Sequence, residues 1–141
     1  MFSTHDYISK ENLLDWSKKQ NAELETQVVG KNQVFLRHKQ KCHYFYFIVK
    51  GFIRLYYLDI DGNDVTHWFS SDNMMDTSPF SFFKEETNII NFEALDETEL
   101  ILLTKEHIAL IIEIIPHANK AFQSLFVELA LKLSRRVMTI H

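Results

Sequence analysis

A single cysteine, Cys42, is all the thiol that 141 residues contain, which excludes an internal disulfide and any centre built from several thiolates, such as a four-cysteine iron–sulfur cluster or a structural zinc. A reducing compartment suits such a chain. Basic charge is also scarce: with 15 Lys and Arg against 19 Asp and Glu the net charge is −4, so the surface lacks the dense cationic footprint of a domain that wraps nucleic acid. Long apolar runs are missing as well. No stretch approaches the roughly 20 residues needed to span a bilayer, and residues 1–14 show no basic segment followed by an apolar one, so the expectation is a cytoplasmic protein with no membrane partner. Glycine and proline are few, three and two, and they fall at breaks between apolar runs.

What is present is aromatic and β-branched. Residues 43–69 are dense in Tyr, Phe, Ile and Val and are punctuated by Gly51 and Gly62. Residues 44–50 and 52–59 fit a pleated, half-buried surface, and Asp61-Gly62 between apolar runs is a hairpin signal, so three consecutive strands are predicted. In the middle one Ile53, Leu55 and Tyr57 share a face, opposite Arg54, Tyr56 and Leu58. An apolar content of 46% over this length matches one domain with a substantial core.

Around that layer, residues 9–20 predict an amphipathic helix with a serine cap, Glu11 in its first turn, two late lysines, and Leu13, Leu14 and Trp16 turned inward. Residues 23–30 and 32–38 read as strands around a tight turn at Gly30-Lys31-Asn32, and residues 88–95 and 99–103 as strands around Asp96-Glu97-Thr98. Between them, residues 70–88 mix turn formers with Met and Phe; a loop with a short helix closing over the β-layer is expected there, and with it any pocket. From Thr104 the period becomes helical, with Ile108, Ile111, Ile112 and Ile115 in step and Pro116 ending or bending the helix. A long last helix is predicted over 116–141. One of its stripes runs through Ala118, Phe122, Leu125, Leu129, Leu133, Arg136 and Ile140, a second through Val127, Leu131 and Met138. One stripe can cover the chain's own sheet and the other needs a partner. The helix has no stop signal at Ile140-His141, which favours a piece of a longer polypeptide.

The order of elements, with the residues 30–35, Cys42, residues 45–55, Asp61-Gly62, Phe92-Glu93-Ala94, Glu99-Leu100 and Ile115-Pro116, resembles the sensor domain of the CRP/FNR superfamily of bacterial transcription regulators. The resemblance implies an α+β, mainly β fold: a cyclic-nucleotide-binding-like β-roll, or double-stranded β-helix, over residues 1–115 with a short N-terminal helix, followed by a dimerisation helix over 116–141. It implies a homodimer through Phe122, Leu125, Leu129, Leu133 and Arg136, and DNA contact through a C-terminal winged helix-turn-helix domain that these residues do not include. Cyclic-nucleotide binders of this type carry a Gly-Glu pair and, later, an Arg-Ser or Arg-Thr pair. Met75-Asp76-Thr77-Ser78-Pro79 and Asn88-Ile89 stand in those places, and residues 72–93 contain no arginine. A phosphodiester buried there would lack its charge-assisted partner, so cyclic nucleotide is not expected to bind. The polar groups left to meet a ligand are Thr77, Ser78, Ser81, Thr87 and Asn88, which suit an uncharged small molecule.

No cofactor, metal or enzymatic activity is predicted. His38, His43 and His67 are what a cupin-like metal enzyme would use, yet no His-x-His pair occurs and His38 and His43 are five residues apart. Cys42-His43 reads as a buried strand start or as a redox or haem-ligating pair. The remaining alternative is a stand-alone dimeric β-roll that binds a small ligand. Arg135-Arg136 reads as a cationic last helical turn.

Overall fold

The computed structural model describes residues 8–115, 119, 120, 122–124 and 127. Helix α1 (Lys10–Gln20) starts where the Ser9 side chain accepts the Asn12 N–H at 3.2 Å, and it ends where Asn21 turns into the left-handed region, donating its N–H to the Lys18 carbonyl. Leu13 and Trp16, three residues apart, are buried. Leu14 is 37% exposed: one position round from Leu13, it points off the buried stripe and is not inward as its hydrophobicity suggested.

Eight strands follow: β1 (Glu25–Val29), β2 (Val34–Leu36), β3 (Phe45–Lys50), β4 (Phe52–Leu58), β5 (Asp64–Ser71), β6 (Met75–Asp76), β7 (Asn91–Ala94) and β8 (Thr98–Leu103), with α2 (Pro79–Lys84) between β6 and β7. They form two antiparallel four-stranded sheets, ordered β1-β8-β3-β6 and β2-β7-β4-β5. Among the described residues only β4 and β5 are both successive and paired; every other connection carries the chain from one sheet to the other. The turns predicted at Gly30-Lys31-Asn32 and Asp96-Glu97-Thr98 are therefore corners between sheets, although both look like hairpins in the sequence. A local turn signal fixes a change of direction, and the choice of neighbour is made by burial on both inner faces.

Gly51 is the tightest corner. Its φ of +141° suits glycine, and a Cβ there would lie 2.3 Å from Thr98 Oγ1. The Thr98 hydroxyl accepts the Phe52 N–H and donates to the Asp96 carbonyl, and the Gly51 N–H reaches Asp72 Oδ1 at 2.8 Å. One threonine thus fastens two corners together.

The β4–β5 hairpin closes as predicted, with Gly62 at φ +82° and the Asp59 carboxylate accepting the N–H groups of Asp61 and Asn63. The register shifts after Leu55, which faces Trp68, to Tyr56, which faces Thr66. His67 is the extra residue of a bulge, so His67 and Trp68 are both buried and the alternation expected to bring Tyr57 in line with Ile53 and Leu55 is broken. On the same sheet, Arg54 of β4 is held by Asp64 on two oxygens, by Glu93, and over the Tyr56 ring at 4.1 Å. The bond to Asp64 leads the effects that raise its pKa.

Helix α3 (Lys105–Ile114) opens with a reciprocal cap: Thr104 Oγ1 accepts the His107 N–H, and His107 Nδ1 accepts the Thr104 N–H, each at 3.1 Å. Ile108 and Ile111 are buried, and Ile115 is extended, as a residue before proline must be. Phe122 is 1% exposed and lies 6.1 Å from the Phe45 ring. Its ring is buried against its own roll. Leu125, Leu129, Leu133 and Arg136, and with them most of the predicted 116–141 helix, lie outside the described residues.

Candidate functional site

The segment where a pocket was expected is built from β6, α2 and residues 85–90, packed against residues 37–46. Strand β6 pairs with β3, Asp76 opposite Tyr46 and Met75 opposite Phe47. Proline at the first helical position starts α2, and Glu85 ends it in the left-handed region. The predicted short helix is present; β6 is too short to show as a periodic signal.

Asp76 is fully buried. Trp68 Nε1 donates to its Oδ1 at 3.1 Å, and the Ser70 hydroxyl bonds Oδ2. Both donors come from β5, brought within reach by the bulge at His67. Sequence reading placed Asp76 near a phosphate cradle but did not find these partners, because two donors eight and six residues upstream carry no local pattern.

Of the five ligand-contact candidates, Thr77, Ser78, Ser81 and Asn88 are buried and Thr87 is exposed. Thr77 Oγ1 donates to the Tyr44 carbonyl at 2.8 Å and lies 3.4 Å from the Cys42 sulfur. Ser81 Oγ accepts the Cys42 N–H at 2.7 Å. Asn88 Nδ2 donates to the carbonyls of Arg37 and Ile90, while its Oδ1 accepts the Ile90 N–H. Backbone bonds from Lys39 to Asn88 and from Asn88 to Gln40 continue the seam. Three of the candidates are therefore already engaged in sewing residues 37–44 to residues 77–90, and a ligand would have to displace those bonds to use them.

Cys42 is buried, its thiol donating to the Tyr44 carbonyl at 3.2 Å. Tyr46 nearby is almost enclosed, and burial above all drives its phenol pKa up, so it stays protonated. A cleft of about 330 Å³ opens beside them, lined by Lys41, His43, Tyr44, Phe82 and Lys105 among others. His38 and His43 are exposed while His67 is buried in β5, so the three do not converge, and no group of three or more His, Cys, Asp or Glu able to hold a metal occurs among the described residues. No helix among them is long and apolar enough to cross a membrane.

Phe45 ties this region to Phe122. Its ring lies 4.8 Å from Phe82 and 6.0 Å from Phe83 on α2, and 6.1 Å from Phe122.

Two antiparallel four-stranded sheets with a short helix inserted after β6 make a mainly β roll. Residues 26–114 match the cyclic nucleotide-binding domain family, and the chain belongs to it. Among solved structures it is similar to the Thermus thermophilus catabolite activator protein (14% identity, TM-score 0.72, 92% of this chain and 59% of that one). It is also similar to oxidized CprK in complex with o-chlorophenolacetic acid (13%, 0.69, 95% and 54%). A third is the sensor domain of the transcriptional regulator DNR from Pseudomonas aeruginosa (15%, 0.62, 82% and 75%). The chain thus spans less than two-thirds of the first two. A comparison with curated proteins finds none that matches.

Proposed function

We propose that the chain is the sensor domain of a dimeric, cytoplasmic CRP/FNR-like transcription regulator whose roll does not take a cyclic nucleotide. The observation that carries the second half is Asp76: a carboxylate buried in β6, held by Trp68 and Ser70, on the stretch that resembles the phosphate-binding segment, with Lys84 the one cation in residues 72–93 and exposed. A phosphodiester brought there finds a carboxyl group already bonded in a poorly solvated setting and gains no guanidinium. Titration calorimetry with cyclic AMP and cyclic GMP is expected to give no saturable heat up to about 1 mM. A micromolar dissociation constant for either would refute this reading.

The regulator half rests on the family and on the likeness to the catabolite activator protein and to the DNR sensor domain. Such a regulator joins two copies and contacts DNA through a following helix-turn-helix domain. The dimer contact is assigned to the stripe through Phe122, Leu125, Leu129 and Leu133, with Arg136 beside it; Phe122, near its start, also packs on its own roll, so the partner contact falls further along the stripe. Sedimentation at micromolar concentration is expected to show a dimer that Leu129→Asp converts to monomer. A monomer in both cases removes the dimer. An effector inside the roll, if one is used, is an uncharged small molecule that trades hydrogen bonds with Thr77, Ser78, Ser81, Thr87 and Asn88; the internal bonds that Thr77, Ser81 and Asn88 already make favour a filled roll instead.

A further inference from the structure

Charge is divided unevenly along the chain. Residues 26–58 hold six of the 15 basic residues and none of the 19 acidic ones, so a basic stretch sits in a protein whose net charge is −4. Two of the six meet carboxylates in the fold: Arg54 is clasped by Asp64 and Glu93, and Lys50 stands opposite Glu99 in the β3–β8 register. Three others, Arg37, Lys39 and Lys41, crowd into the loop between β2 and β3 together with His38 and His43, and all five residues are exposed. None of these three cations makes an ion pair among the described residues.

The backbone that carries them is tied down. The Arg37 N–H bonds Gln40 Oε1 at 2.7 Å, the His38 N–H bonds Asn91 Oδ1 at 2.9 Å, the Lys39 N–H bonds the Asn88 carbonyl at 2.6 Å, and the Cys42 N–H bonds Ser81 Oγ. Charged side chains on a fixed backbone have less freedom to lose when a partner arrives. Lys39 is the exceptional position. Its φ of +76° lies in the left-handed region, which strains a lysine and which asparagine adopts several times more readily, so local folding does not account for the residue found there.

We infer that residues 37–41 are a docking surface for a short acidic segment of a protein partner, whose carboxylates pair with Arg37, Lys39 and Lys41. The sign of the partner follows from three cations that the fold leaves without acids. Its length follows from their reach, since the chain from Arg37 to Lys41 spans at most about 14 Å, the extent of four or five extended residues. Glu85 and Glu86 lie exposed on the segment to which the loop is bonded through Asn88, and acids outnumber bases over the rest of the chain, so a polyanion that runs on past the loop is repelled. A nucleic-acid duplex and an anionic membrane are polyanions of that kind. The surface rests neither on the sensor reading nor on dimerisation, and its test involves neither.

The probe is a capped hexaglutamate peptide, titrated into the nitrogen-15-labelled 141-residue protein at about 20 mM salt, where charges act over about 20 Å. The expected result is a saturable shift of the amide signals of residues 37–43, with a dissociation constant of about 1 mM that weakens at least about tenfold in about 0.3 M salt. Arg37→Gln and Lys39→Asn, both at exposed positions, should each weaken the peptide by about threefold or more, while Lys31→Gln, which removes an exposed lysine on the other side of β2, leaves binding unchanged. Lys39→Asn should also keep or raise the urea midpoint, because asparagine suits the left-handed backbone; a purely structural lysine would lower it. Absent shifts, shifts spread equally over Lys18, Lys19 and Lys31, undiminished binding in both loop variants, or a lowered midpoint for Lys39→Asn overturns the surface. Tighter binding of a DNA duplex of about 20 base pairs, or of phosphatidylserine vesicles, overturns the choice of an acidic protein segment.

Discussion

Gly51→Ala is expected to lose about 4 kcal/mol or more of folding stability, enough to leave a domain of ordinary stability largely unfolded. Two penalties add. At φ +141° the backbone occupies a region that L side chains rarely adopt, at a cost of about 1–3 kcal/mol. The new methyl also lies 2.7 Å from Thr98 Cα and Cβ as well as 2.3 Å from Thr98 Oγ1, so the obstacle is backbone and cannot swing aside. Relief would separate the β3–β4 corner from the start of β8 and break the Thr98 bonds to Phe52 and Asp96. The other glycines provide the scale. Gly62→Ala meets open space but keeps a positive φ, for about 1 kcal/mol, and Gly30→Ala has neither difficulty and should change stability by no more than about 1 kcal/mol in either direction. Urea unfolding of the three variants checks the order. Equal losses at Gly51 and Gly62 would show that the corner yields and that the contact with Thr98 is not what fixes glycine there.

Much of the roll is legible in the sequence because its signals are local. The serine and threonine caps, the Asp61-Gly62 hairpin, the apolar strands and the change to a helical period at Thr104 each sit within a few residues of the structure they specify. What is not legible is pairing across the roll. Gly30-Lys31-Asn32 looks like a hairpin, yet β1 joins β8 and β2 joins β7, decisions made by burial some 70 and 60 residues away. The candidate site divides along the same line. Its boundary and short helix follow from composition, and the missing arginine is a direct reading of residues 72–93. The partners of Asp76 depend on a bulge at His67 that no short pattern announces, and the roles of Thr77, Ser81 and Asn88 as stitches to residues 37–44 depend on a loop that shares no periodicity with them. Phe122 shows the limit of stripe counting. Its place at helical spacing with Leu125 and Leu129 is real in the sequence, but only packing against Phe45 decides which partner it serves.

That aromatic junction yields the second large effect: Phe45→Ala should cost about 3–5 kcal/mol, the range for emptying a fully buried phenylalanine site. The loss exceeds a cavity in one layer, because Phe45 is the common neighbour of Phe82 and Phe83 on α2 and of Phe122. A domain that reports the state of its roll to the segment beyond it needs a physical contact between the two, and these rings are one that the structure supplies. A double-mutant cycle separates the contact from the cavity. Phe45→Leu and Phe122→Leu keep apolar volume while removing the ring-to-ring term, and their coupling energy should be about 0.5–1.5 kcal/mol. Phe45→Leu with Phe83→Leu should give a similar value, which makes Phe45 a shared hinge between α2 and Phe122 rather than a filler. Additive losses within about 0.3 kcal/mol in both cycles would mean that the three rings merely occupy one core and carry nothing between its parts.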